Sequence, residues 1–546
     1  MPQDHEILIE HRYLNFPVRD DAPLQKVRFR VNDQIIRVFE ITLAQEEPDF
    51  WVFADVAMHK GQTLVTEAAG PVTIIQSDTI AGGENLYQEK HRPQFHFSSR
   101  RGWLNDPNGL VFYNGVYHLF YQHNPYGWRW GNMHWGHAIS KNLVQWQELS
   151  DALSPDALGT MYSGSAVVDW HNTAGLKQGN NDTLVCFYTA AGEWVEPKVP
   201  YSQCMAFSND QGQTWQKYED NPVIPHIAAE NRDPKVIWHQ ASEQWIMALY
   251  LDENKETDQQ RFALFASSDL KQWQQLQEIH FPGRGECPDF FPLPLDGASE
   301  NIKWVFWTAD GHYLIGTFDG TTFTPETSFL KSTYNDQETG SGYAAQTWSD
   351  MPATDGRRIQ IAWLVADIPA MPFNQQMGFP VELTLKTTAD GPRLHSWPVK
   401  EIEVLYQEQV TPDNITLSEE PAALPTDNHD LLDIDTTIEV GDAAEIELNL
   451  RGIPLVYQVN RQELSYGQRT APLKTIAGQI HLRILLDRTS LEIFAEDGLV
   501  YIPYSVIPAD DNQTCFLQAR GGTSQVKEIT LTKLHSAWAS DKQRQA

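Results

Sequence analysis

Short runs of alternating or uniformly apolar residues recur along the whole chain. VRFRV (27–31), IELNL (446–450) and LRILL (482–486) are typical. Bounded by Asn-Asp, Asp-Gly and Asn-Gly turns, such runs read as strands. Helical periodicity over a dozen residues is nearly absent. The predicted fold class is all-β.

One shape repeats in the middle of the chain. WGHAISKNLVQW (135–146), CMAFSNDQGQTW (204–215) and FALFASSDLKQW (262–273) each read as a strand, a tight polar turn and a closing aromatic. YLIGTFDGTTF (313–323) is a degenerate fourth copy. Each interval leaves room for about four short strands, the content of a propeller blade. A β-sandwich meander is the alternative that the repeat alone leaves open.

At 546 residues, the chain exceeds one ordinary domain of ~100–200 residues, so several folded units are expected. Residues 1–88 form a small strand-rich accessory unit ending near AGGENLYQ, and 89–405 hold the repeats. The polar, acidic, Pro-bearing stretch 406–430 reads as a linker. Beyond it, 431–546 alternates in the manner of a β-sandwich.

Charge narrows the partners. Lys plus Arg number 40 against 72 Asp plus Glu, a net −32, which disfavours nucleic acid and anionic membrane surfaces and favours a neutral ligand. No apolar run approaches the ~18 residues of a membrane span. The first residues show no basic region followed by an apolar one. The expectation is the mature form of an extracellular or periplasmic enzyme in preference to a cytoplasmic one. Cys186, Cys204, Cys287 and Cys515 lack zinc-like or CxxC spacing and read as buried thiols. The oligomeric state is left open.

Candidate chemistry is densest from 100 to 140. Asn105-Asp106-Pro107-Asn108-Gly109 is a turn in its own right. Trp103, Tyr121, Gln122, Trp128, Trp130, His134, Trp135 and His137 surround it in sequence, too polar and aromatic for a dry core. Aromatic faces with amide and imidazole edges suit a sugar. Two further acidic turns follow, Asn231-Arg232-Asp233-Pro234 and Gly285-Glu286-Cys287-Pro288-Asp289. Arg232 is expected to keep Asp233 ionised, and an apolar setting is expected to raise the pKa of Glu286 as a general acid requires. Singly, each turn is better explained by structure. Spread over successive blades and converging on one channel, they point to catalysis.

These motifs resemble glycoside hydrolase family 32, the invertases, exo-inulinases and levanases. WLNDPNG, RDP and GECPD match its three signatures in order, and YSGSAVVD (162–169) and LRILLDRTSLEIFAEDG (482–498) match further segments. The resemblance covers about 90–535 and implies a five-bladed β-propeller followed by a β-sandwich. It implies a retaining enzyme that releases terminal β-D-fructofuranose from sucrose, inulin or levan without metal or organic cofactor. By the matched motifs Asp106 is the nucleophile, Glu286 the acid/base and Asp233 the transition-state stabiliser, with Arg232 beside it. Asn105, Gln122, Trp130 and Ser163 match positions lining the fructose pocket, and Trp103 and Tyr162 are expected in its walls. Leu104 and Tyr162 depart from the more common Met and Phe. Two other readings share the motifs: a fructosyltransferase, and a fructan-binding propeller without turnover.

Overall fold

The computed structural model describes residues 3–68, 73–254, 259–282, 285–334, 341–412, 415–467, 469–509, 512 and 514–538. Strands carry nearly all its regular structure, with only three short 3-10 turns among the described residues.

Between Gly102 and Pro398 the strands form five consecutive sheets, each an antiparallel meander. The first strands of the five sheets are Gly102–Tyr113, Thr160–Asp169, Arg232–His239, Asp289–Pro294 and Tyr343–Thr347. They touch one another in cyclic order, the fifth returning to the first. This is a propeller with the first strands around the central channel. Its strands are buried on both faces, as in Thr183–Ala191, where every residue is buried. Sheet-on-sheet burial therefore explains their continuous apolar runs. Phe373–Asn374 leaves the fifth sheet and pairs in parallel with Gly102 and Trp103, which ties the ring shut.

The sequence repeat marks one particular hairpin. Its four copies hold the third strand of the first four sheets and lead into the outer strand, as at His134–Ser140 with Trp146–Glu148. In the fifth sheet the corresponding hairpin, Val381–Thr388 with Gly391–Pro398, has another shape and carries no copy.

The C-terminal region is a sandwich of a seven-stranded and a six-stranded sheet around one apolar core. Here the expected linker is corrected. Tyr406–Val410 and Thr416–Leu417 pair with Ser524–Leu534, and Ala422–Ala423 pairs with Cys515–Arg520. Pairing with strands already in place holds this polar stretch, although its own composition lacks a strand pattern. Residues 413, 414 and 539–546 lie outside the described residues.

Sandwich and propeller share a continuous core that includes Phe97, Trp307, Phe494 and Tyr501. At its edge the fully buried His96 bridges Asp487 (2.9 Å) and Glu492 (2.5 Å).

The N-terminal residues fold into a four-stranded and a three-stranded sheet enclosing their own core. That core extends into the propeller through Tyr126, whose ring stacks on Phe39 at 3.9 Å. Arg37 donates to the Tyr126 hydroxyl (2.7 Å), Arg129 pairs with Asp20 (2.7 Å), and Asn132 exchanges two hydrogen bonds with the Glu40 backbone (2.7 Å each). All three propeller partners lie on the segment between Val116–Asn124 and His134–Ser140, which also carries Trp130.

Candidate active site

Four of the five first strands break their ladder at the same end of the channel. Register shifts lie between Leu104 and Pro107, Tyr162 and Gly164, Arg232 and Lys235, and Tyr343 and Gln346. Asp106, Ser163 and Asp233 fall inside the first three. A bulge bends its strand and re-aims the extra residue. Sequence supplies the cause at two of them, because Pro107 and Pro234 follow the two aspartates and a proline donates no ladder bond. Asp233 itself holds φ at +67°, a conformation that costs about 1–3 kcal/mol and persists only under outside constraint. Its amide donates to Thr189 Oγ1 (3.0 Å), and Cys287 N donates to its carboxylate (3.1 Å). Gly109 of the first motif has φ +55°, and a Cβ there would meet the Phe120 ring at 2.6 Å.

The three carboxyls converge around Cys287. Its thiol lies 3.6 Å from Asp106 Oδ2 and 3.3 Å from Asp233 Oδ2. Ser163 donates to Asp106 Oδ2 at 2.5 Å and Asn105 to Oδ1 at 3.1 Å, while Trp103 Nε1 donates to Asn105 at 2.9 Å. Glu286 precedes the fourth first strand and accepts from Arg232 Nε (2.7 Å) and from the Tyr343 hydroxyl (2.9 Å).

Electrostatics here departs from expectation in two respects. Burial raises the Asp106 carboxyl, the Ser163 hydrogen bond draws it back down, and the Glu286 charge raises it again. Burial and then Glu286 push Asp233 up to about 7, against the pull of Arg232. Arg232 therefore does not hold Asp233 in the ordinary carboxylate range: its guanidinium lies 3.8 Å away and is turned to Glu286. Nor is the setting of Glu286 apolar, since each of its oxygens has a polar donor. Arg232 also lies over the Tyr250 ring, 4.6 Å from its centroid.

Beneath the carboxyls, buried polar side chains span the channel. Ser165 donates to Pro234 O (2.8 Å), Lys235 to Thr347 O (2.6 Å), and Gln346 to Gly164 O (3.0 Å). Asp289 accepts from Thr347 N (2.6 Å). All five first strands are joined there, because Leu110 N also donates to Gln346 (3.4 Å).

Of the residues singled out in the sequence, Asp106, Asp233, Glu286, Arg232, Ser163, Asn105 and Trp103 form this connected cluster. Tyr162 and Trp130 stand outside it as a wall, ring centroids 6.1 Å apart. Gln122 is buried on the second strand of the first sheet, and its amide Nε2 has no hydrogen-bond partner among the described residues. Sequence reading missed Tyr343, Thr189 and Trp194. Tyr343 opens the fifth first strand, whose sheet carries no copy of the repeat, and Trp194 lies in a loop without a motif. Among the described residues no group of three or more His, Cys, Asp and Glu is arranged to hold a metal ion.

Comparison with known proteins identifies the family. The chain is 37% identical over 507 residues to a levanase of Bacillus subtilis (strain 168), covering 84% of this chain and 73% of that protein. It is 30% identical to an extracellular exo-inulinase of Aspergillus ficuum, over 86% of this chain and 98% of the relative. The crystal structure of the Aspergillus awamori exo-inulinase superposes with a TM-score of 0.72 at 27% identity, covering 83% of this chain and all of that one. The glycosyl hydrolases family 32 N-terminal domain matches residues 96–398 and the family 32 C-terminal domain matches 401–533. With its propeller, its sandwich and both family models matched, the chain belongs to glycosyl hydrolase family 32.

Proposed function

We propose that this protein is a retaining β-fructofuranosidase that removes terminal fructose from sucrose and fructans. The observation that carries the proposal is the convergence of Asp106 and Glu286, from different sheets, on one site in a family 32 chain. A ketofuranoside departs from a fully substituted anomeric carbon, so its transition state is strongly oxocarbenium-like. Asp106 attacks that carbon as Glu286 gives its proton to the departing oxygen, which leaves a covalent fructosyl-enzyme. Water then attacks the same carbon, Glu286 takes the water's proton, and the bond to Asp106 breaks. Ser163 and Asn105 orient the Asp106 carboxylate. Asp233 accepts hydroxyl hydrogen bonds from the sugar, and the unpartnered Gln122 amide has a donor left for another.

The cross-strand polar layer below the carboxyls supports a pocket closed at its floor, which admits a chain end and excludes an internal unit. The relatives act, by their names, on levan and inulin, and these two with sucrose are the substrates to compare.

Time-resolved chromatography of sucrose, inulin and levan digests tests the reading. Fructose as the only early product from the polymers supports it, and mixed oligosaccharides would overturn exo action. Free glucose equal to free fructose from sucrose supports hydrolysis, whereas glucose in excess favours fructosyl transfer. No product from any of the three would leave the non-catalytic reading.

A further inference from the structure

Among the described residues only three tryptophans are exposed: Trp130 (42%), Trp170 (49%) and Trp194 (53%). Trp170 follows the far end of Thr160–Asp169, and its indole donates to Asp350. Trp130 and Trp194 are at the carboxylate end and touch, with ring centroids 5.2 Å apart and planes at 66°. They come from different sheets, the first and the second.

Their placement relative to the cluster is specific. Ser163, which holds Asp106, is preceded by Tyr162. The Tyr162 hydroxyl accepts from Trp194 Nε1 at 2.7 Å, and its ring faces Trp130. Tyr201 packs against Tyr162 at 5.7 Å and donates in turn to Glu193, the neighbour of Trp194. Trp194 is thus held by a hydrogen bond and both indoles by ring contacts, while each stays exposed. An aromatic face left wet beside a sugar site is suited to the C–H face of another sugar. Tyr162 joins Trp194 to Ser163 and so to the cluster, which places Trp194 outward of the reacting unit.

We infer that Trp194, seated against Trp130 of the pocket wall, forms a platform for the fructosyl units that follow the scissile bond, making Trp194 a determinant of preference for chains over sucrose. The inference rests on the β-fructofuranosidase reading above and adds to it the part of the substrate that is not cleaved. Sucrose offers one sugar beyond the bond, and a fructan offers several, so the contribution of the platform grows with chain length. Binding energy from such remote units acts on KM, and also on kcat where it helps to position the reacting unit.

The test is steady-state kinetics of wild type, Trp194→Ala and Trp194→Phe on sucrose and on fructo-oligosaccharides of three and five sugars. Trp194→Ala is expected to lower kcat/KM on the five-sugar chain about tenfold, mainly through KM, and to leave sucrose within about twofold. Trp194→Phe keeps a ring face and should recover most of the loss, which also separates platform loss from misfolding. Equal loss on sucrose and on the chains, or no loss on either, overturns the platform and leaves the β-fructofuranosidase reading standing. A wild type inert toward all three substrates would instead overturn that reading, and the platform with it.

Discussion

Arg232 Nε lies 2.7 Å from Glu286 Oε2 and 3.8 Å from Asp233 Oδ2, so the cation serves the distant glutamate more closely than its neighbour in the chain. The same guanidinium lowers Asp233, which burial and Glu286 together push up to about 7. Arg232→Lys replaces a fixed planar fork with a mobile point charge. Asp233 should then titrate higher, and less of it is ionised at neutral pH. The expected outcome is a loss of at least ~tenfold in kcat/KM, with the acid limb of the pH profile displaced to higher pH. A lowered profile with an unmoved limb would separate Arg232 from the titration of Asp233.

The role of Glu286 has its own signature. A proton donor matters most when the leaving group is poor. Glu286→Ala should cost ~10²–10⁴-fold in kcat on sucrose, and far less on an aryl fructoside whose leaving group departs as an anion. Asp106→Ala should be inactive on both while still binding fructan, because the nucleophile acts on the bond-breaking step. A Glu286→Ala enzyme equally dead on both substrates would remove it from the acid/base role.

The parts of this site that were legible in the sequence are those in which turn chemistry and catalytic chemistry coincide. Asn-Asp-Pro-Asn-Gly and Arg-Asp-Pro announce themselves because a proline, which donates no ladder bond, follows each aspartate where its strand bulges. Tyr343 offers no such sign. Its strand pairs through a bulge made by ordinary residues, Tyr-Ala-Ala-Gln, and its partner Glu286 is brought to it only by closure of the ring. The four hairpin copies reveal the propeller for the same reason: their polar turns are local. The strands within 406–423 are held by pairing with strands about a hundred residues away, a tertiary effect that short-range pattern does not contain. The electrostatics were least legible, since Arg232 sits beside Asp233 in sequence and beside Glu286 in space.

His96 makes the joint between propeller and sandwich sensitive to pH. Burial pulls its pKa down, but Glu492 and Asp487 outweigh burial and raise it to about 9. Asp487, despite its own burial, is held below its ordinary value by His96 and by the amides of Gln94 and Phe95. The His96 contribution is thus fully present below pH ~6.5 and is lost as pH rises through about 9. The Asp487 contribution is present above pH ~4 and lost on acidification. His96→Gln leaves two buried carboxylates without their cation and should cost about 3–5 kcal/mol near pH 6. Thermal melts of wild type and variant should converge as pH is raised past 9. A gap that stays constant from pH 6 to 10 would mean that packing, not charge, holds the joint.

The N-terminal sheets brace the segment that carries Trp130. Tyr126, Arg129 and Asn132 all bond to them, and Trp130 sits between these anchors in the chain. None of Asp106, Asp233 and Glu286 lies on that segment, so the brace should govern binding more than bond cleavage. Removing residues 1–85 exposes the stacked face of Tyr126 and should lower the melting temperature by several degrees. KM for fructans should rise while kcat is largely kept. Asn132→Ala is the milder companion, removing the paired bonds to the Glu40 backbone and one to Asn124 Oδ1 (3.0 Å); it should raise KM a few-fold with little change in melting temperature. Unchanged melting and unchanged KM after excision would show that the N-terminal unit contributes nothing through this contact. A fall in kcat equal to the rise in KM would place its effect on the carboxyls instead.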